Sequence, residues 1–135
     1  MKLNPYITFS GNGEEALNFY LSALGGKLLQ LSRYAESPMQ VDESWKQKIL
    51  HARFVFDDNL VMISDSSQAQ PTQAGDNIQL SVDVETTEQL EIVFNKMAEG
   101  GAVKMPLQDT FWGARFVMLK DKFGVHWIFN CELKK

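Results

Sequence analysis

Residues 51–56 read HARFVF and residues 113–118 read GARFVM, so the letters Ala-Arg-Phe-Val occur twice in one chain. A wider periodicity surrounds them. Between Gly11 and Gly26 the apolar positions are Ala16, Phe19, Tyr20, Ala23 and Leu24. Between Thr86 and Gly101 they are Leu90, Val93, Phe94, Met97 and Ala98. Both sets follow the i, i+3, i+4, i+7, i+8 spacing that lays one apolar stripe along a helix. Adding 74 to each member of the first set gives the second. Each segment runs into a glycine pair, Gly25-Gly26 or Gly100-Gly101, suited to the left-handed turn that closes a helix. Asn12 and either Thr86 or Thr87 are the candidate N-caps.

Strand patterns flank each helix. PYITF precedes the first, and KLLQLSRY, ILHARFVF and LVMIS follow it. NIQLSVDV precedes the second, with AVKMPLQ, GARFVML and VHWIFN after it. These runs are rich in β-branched and aromatic residues, and turn chemistry such as Asp57-Asp58-Asn59 separates them. Each half therefore reads strand-helix-strand-strand-strand, and the tetrapeptide falls on the third strand of each. The fold class is α+β: two paired βαβββ modules forming a cupped mixed sheet, with the helices on its outer face. A ferredoxin-like α+β barrel would instead need the order βαββαβ.

The 135 residues suit one domain with a real core, divided into module one at about 1–66, a linker at 67–73 and module two at about 74–135. The linker belongs to the polar stretch SDSSQAQPTQAGD, residues 64–76. A second irregular segment, AESPMQVDESWKQK at 35–48, is long for a hairpin connection and reads either as a lid or as a solvated insertion. The net charge of −4 argues against a nucleic-acid partner. No apolar run approaches the roughly 20 residues of a membrane span. The opening MKLNPYITFS has no apolar core of a signal peptide, and the single cysteine, Cys131, excludes an intrachain disulfide. A cytoplasmic setting is expected.

The doubled βαβββ unit resembles the vicinal oxygen chelate superfamily of glyoxalases, bleomycin-resistance proteins and extradiol dioxygenases. PYITFSGNGEEALNFY, MISD at 62–65, LQDTFWGARF and DKFGVHW look closer still to its PhnB-like branch. The resemblance implies paired modules enclosing one site, and a homodimer in which modules of two chains complete each cup. It also implies metal-ligand positions near the starts of strands one and five and late in strands four and eight. Those positions fall on Asn4, Asn77, Met62 and Ile128. Ile and Met offer a hard cation nothing, so neither metal nor any other cofactor is expected. Methyl transfer, a label this branch often carries, lacks the glycine-rich turn a cofactor would need.

Strand alternation assigns the remaining candidates. In ILHARFVF, Leu50, Ala52, Phe54 and Phe56 would face the helices, leaving Ile49, His51, Arg53 and Val55 toward the cup. The same logic places Ala114, Phe116 and Met118 against the helices, with Arg115 and Val117 opposite. Trp127 and Phe129 would face the helices, leaving His126 and Ile128 toward the cup. An inward arginine must find an anion or stay hydrated, so Arg53 and Arg115 either bind a ligand or pair with Asp65, Asp109 or Glu132. His51 and His126 read as hydrogen-bonded histidines or as a two-histidine metal site. Tyr6, Thr8, Gln79 and Ser81 share the cup parity. Trp112 beside Phe111 reads as an aromatic wall or as packing. Asp65 or Asp109 could serve as a base, and Cys131 has no base beside it.

The leading expectation is a small-molecule-binding protein with Tyr6, His51, Arg53, Gln79, Trp112 and Arg115 around an anionic or aromatic ligand. The alternative is a lyase, isomerase or dioxygenase using a displaced metal or an acid-base residue in the same cup.

Overall fold

The structure is a computed structural model that describes residues 1–133. The chain forms two compact units, Met1–Gln73 and a second that begins at Ala74. The first contains β1 (Tyr6–Phe9), α1 (Gly13–Leu24), β2 (Lys27–Arg33), β3 (Ile49–Phe56) and β4 (Asn59–Asp65). Its sheet order is β1-β4-β3-β2, with β1 parallel to β4 and the other pairs antiparallel. The second contains β5 (Leu80–Asp83), α2 (Thr87–Met97), β6 (Ala102–Asp109), β7 (Ala114–Lys120) and β8 (His126–Glu132). Its order, β5-β8-β7-β6, repeats the first. The fold is α+β and consists of two βαβββ modules; the ferredoxin-like order does not occur.

Each helix covers one face of its own sheet. α1 packs on β3 and β4 through Ala16, Leu17 and Tyr20, all essentially inaccessible. The Tyr20 ring stacks on Phe54 at 6.3 Å between centroids and meets Phe9 at 6.5 Å. Leu17 is buried where the stripe favoured Phe19, which is only half-buried, so the helix is rotated slightly from the expected face. α2 packs on β7 and β8 through Leu90, Val93 and Met97. Burying one Leu- or Phe-sized side chain stabilises by about 1.5–3 kcal/mol, so these two faces supply most of the cohesion of each unit.

The helix ends use different chemistry. Thr86 caps α2, its Oγ1 accepting from the Gln89 amide at 3.1 Å. Thr86→Ala should therefore lower the unfolding free energy by about 1 kcal/mol in a urea titration, and an unchanged midpoint would show the cap contributes nothing. Asn12 makes no such bond at α1. There the carboxylate of Asp65, only 2% exposed, accepts from the Gly11 and Gly13 amides through Oδ1 at 3.0 and 2.8 Å. Its Oδ2 accepts from the Ile49 amide at 2.8 Å. A negative group beside the free amides of a helix start is favoured by both hydrogen bonding and the macrodipole. β4 reaches Asp65, so the polar stretch after it begins two residues later than the composition suggested.

The 35–48 segment is tied down at both ends. Tyr34 is buried and donates to the Asp65 carbonyl at 2.8 Å. Trp45 Nε1 donates to the Ser66 carbonyl at 3.0 Å, and Lys48 Nζ donates to the Gly11 carbonyl at 2.7 Å. Gly11 has φ of 106°, and a Cβ there would strike the Trp45 ring at 2.9 Å, so both its conformation and its space call for glycine. Arg33 joins the same corner with a two-armed pair to Glu14, at 2.7 and 3.0 Å, and a bond to the Gln47 carbonyl. The hydrogen bond from Arg33 holds the Glu14 carboxyl below its ordinary range.

One parity expectation is overturned. In β7 it is Val117 and Leu119 that are buried on the helix side, while Phe116 and Met118 lie on the opposite face. The β7–β8 register pairs Leu119 with Trp127, Val117 with Phe129 and Arg115 with Cys131. Directly opposed residues share a face, so Arg115 stands on the helix side. Arg53, by contrast, pairs with Met62, and its neighbours Ala52 and Phe54 carry the helix side of β3. The repeated tetrapeptide thus occupies the third strand of both modules, but with opposite faces turned to the helix. A strand alternates with period two, so an odd offset against the core inverts every side chain.

Candidate functional site

The face of the first sheet turned away from α1 gathers the most distinctive polar groups of this unit. β1 and β3 flank β4, and the register sets Tyr6, Met62 and Arg53 in one row across the three strands. His51 lies two residues before Arg53 on β3, hence on the same face. The Tyr6 hydroxyl and His51 Nδ1 are 3.2 Å apart, with ring centroids at 5.7 Å. Gln30 of β2 is the strand neighbour of Arg53, and Ser32 is that of His51. Tyr6 is about half exposed, at 50%, so this row is open to a ligand.

Arg53 has an unusual environment. Its Nε is buried and has no hydrogen-bond partner. Among the described residues its guanidinium makes no ion pair, whereas Arg33 and Arg115 both do. A buried N–H without an acceptor costs about 1–3 kcal/mol, so a structure that keeps one is storing a requirement for an acceptor.

The other candidate residues are placed differently. Arg115 is occupied by Asp109, with Nε at 2.6 Å from Oδ1 and Nη2 at 3.4 Å from Oδ2. The mutual hydrogen bond lowers the Asp109 carboxyl and raises the Arg115 guanidinium. Helix-side placement and this pairing together leave Arg115 outside the open face of its sheet. Gln79 is exposed and precedes β5 by one residue, while Ser81, paired with Ile128, does lie on the open face. Trp112 and Phe111 form an edge-to-face pair at 5.0 Å on the β6–β7 turn, with Phe111 almost wholly exposed. His126 pairs with Lys120 at the start of β8 and is not brought to His51 by its own sheet. Cys131 is buried, its thiol directed to the Glu132 carbonyl at 3.6 Å.

Asp65 and Asp121 carry structural roles that the local sequence signals only weakly. Both are 2% exposed. Asp121 organises the β7–β8 turn, accepting from the Phe123 and Val125 amides through Oδ1 and from Trp127 Nε1 at 2.9 Å through Oδ2. An aspartate next to a Lys-Phe-Gly turn and six residues before a tryptophan was the available signal. The three bonds to the Asp65 side chain, being backbone contacts distant in sequence, had no such signal.

The four positions to which the resemblance assigns metal ligands offer little to a hard cation. Met62 stands between Tyr6 and the Arg53 cation. Ile128 pairs with Met118 and carries no donor atom. Asn4 and Asn77 are exposed and lie outside the strands. Among the described residues no three His, Cys, Asp or Glu side chains gather into a metal-ligating group. The second unit does contain a cleft of about 590 Å³, lined by Asp83, Val84, Glu85, Asn130 and Glu132. Its acidic lining contrasts with the single arginine of the row in the first unit. Among the described residues no helix is long and apolar enough to cross a membrane.

Comparison with known proteins agrees with this architecture. Protein PA1353 from Pseudomonas aeruginosa is 41% identical, with a TM-score of 0.91 over 99% of both chains. The PhnB protein from Bacillus cereus is 32% identical, with a TM-score of 0.82 over 97% of this chain and 99% of its own. Protein YjdN of Escherichia coli is 29% identical over 140 residues, covering 96% of this chain and 95% of that protein. The sequence profile of one family matches residues 2–129, nearly the whole length. The chain belongs to the glyoxalase/bleomycin resistance protein/dioxygenase superfamily, with PhnB-like proteins among its structural neighbours.

Proposed function

We propose that this protein binds a small anionic or aromatic-anionic molecule on the open face of its first sheet, without the divalent metal usual in its superfamily. The observation that carries this reading is the unpaired Arg53, whose buried Nε lacks an acceptor. A planar guanidinium donates two parallel N–H bonds to a carboxylate or phosphate. Such a ligand would meet the part-exposed side chain of Arg53, while Tyr6 and His51 supply a polar and aromatic edge beside it. The thioether of Met62 next to a fixed cation is a poor place for a hard dication, which supports the metal-free reading. A cytoplasmic setting and a homodimer belong to the same reading. The exposed Phe111 and Trp112 favour association, since large apolar groups in water favour a partner.

The test has two arms on the wild-type protein. Titration with nickel, zinc and manganese should show no tight site. A thermal-shift screen of charge-matched compounds should show stabilisation by carboxylates and phosphates and none by amines. Equal stabilisation by cations and anions, or stoichiometric tight metal, would overturn the reading.

A further inference from the structure

We propose that Asn12 is a self-modification site, converted to aspartate or isoaspartate by the Gly13 backbone nitrogen, and that the buried Asp65 carboxylate gates the reaction. Asn12 is the one asparagine of the chain that is followed by glycine. A residue without a Cβ leaves its own backbone nitrogen unhindered toward the side chain before it. The Asn12 side chain is exposed and makes no cap bond to α1, so its carbonyl carbon is open to attack. The nucleophile is withheld. Gly13 is buried, and its N–H donates to Asp65 Oδ1 at 2.8 Å.

The step balances with water as the co-reactant. The Gly13 nitrogen loses its proton to hydroxide and bonds to the side-chain carbonyl carbon of Asn12. The bond from that carbon to its amide nitrogen breaks, and ammonia leaves behind a five-membered succinimide. Water then opens either carbonyl of the ring, giving aspartate through one and isoaspartate through the other. Two features of the fold oppose the first event. A hydrogen bond to the neutral N–H and a carboxylate charge beside it both disfavour the nitrogen anion. The ψ of 24° at Asn12 also turns the Gly13 nitrogen toward the Asn12 backbone nitrogen rather than its Cβ, so ring closure requires rotation about that bond. The same rotation moves the Asn12 carbonyl, which accepts from the Ala16 amide at 3.1 Å. The reaction therefore waits for the start of α1 to leave Asp65. The two products differ in consequence. Aspartate is a favoured N-cap and adds negative charge at a helix start. Isoaspartate inserts a methylene into the main chain before Gly13 and carries its N–H off the carboxylate, so the opening becomes irreversible.

The experiment incubates wild-type protein in mildly alkaline buffer, folded or in guanidinium chloride. Peptide mapping by mass spectrometry reads the amide-to-acid mass gain at Asn12, and isoaspartyl methyltransferase labelling reads the isoaspartate. Folded protein should convert at least about 10-fold more slowly than unfolded protein, since each local opening costs free energy. Folded Asp65→Ala should recover most of that difference. Asp65→Asn fills the same space without the charge; it should also convert faster than wild type, and it serves where Asp65→Ala does not fold. Thr86→Ala loosens α2 in the other unit and should keep the wild-type rate, which separates release of the gate from general destabilisation. Conversion of folded wild type at the unfolded rate, a wild-type rate in the folded Asp65 variants, or equal acceleration by Thr86→Ala overturns the gate. Absence of conversion in guanidinium chloride overturns the site itself.

Discussion

Asp65→Ala is expected to lose about 3 kcal/mol of unfolding free energy, because two buried amides and one part-buried amide lose their acceptor at once and each orphaned buried group costs about 1–3 kcal/mol. The amides of Gly11 and Gly13 belong to the start of α1, and that of Ile49 opens β3, so one carboxylate ties the first helix to the sheet it covers. Asp65→Asn should recover only part of the loss. Its amide nitrogen would face an N–H donor, either at Ile49 or at the two glycines. The same contact can be attacked from the other side. A Cβ on Gly13 would meet Asp65 Oδ1 at 2.8 Å, so Gly13→Ala should also destabilise although its backbone conformation permits alanine. Urea denaturation followed by circular dichroism measures all three. A loss below about 1 kcal/mol for Asp65→Ala would mean that water replaces the carboxylate and that the tie is not structural.

The second large effect separates the two arginines of the repeat. Arg53→Ala should weaken binding of a carboxylate ligand by about 10- to 100-fold, the equivalent of one charge-assisted hydrogen-bonded contact of 1.5–3 kcal/mol. Arg115→Ala should leave that affinity unchanged, because its guanidinium is already held by Asp109 on the helix side of β7. Calorimetric titration of phenylpyruvate into the two variants checks the contrast. Equal losses in both would show that Arg115 reaches the ligand in spite of its pairing, and an unaffected Arg53→Ala would remove the open face from the site. The pair Arg115–Asp109 is largely exposed, and its disruption should change stability little.

Much of this protein is determined by the sequence alone. The two stripes, spaced 74 residues apart, and the strand runs around them dictate two βαβββ units, since a helix period and a strand period cannot be exchanged. Gly25 and Gly100, with φ of 71° and 74°, sit where the glycine pairs predicted helix ends. His51 and Arg53 were assigned to one face of β3 by alternation, and the register agrees. The tertiary structure decided the rest. Ala-Arg-Phe-Val reads identically in both modules, yet Phe54 packs against α1 while Phe116 turns away from α2. Alternation states which residues share a face; only the register against β4 or β8 states which face meets the helix. Whether an arginine is free or paired likewise depends on neighbours from other strands, as Asp109 of β6 shows for Arg115. The role of Asp65 is of the same kind. Its partners lie 16 to 54 residues away, and nothing local in MISD marks them. Local pattern carries periodicity and turn chemistry, whereas satisfaction of a buried charge is a property of the assembled chain.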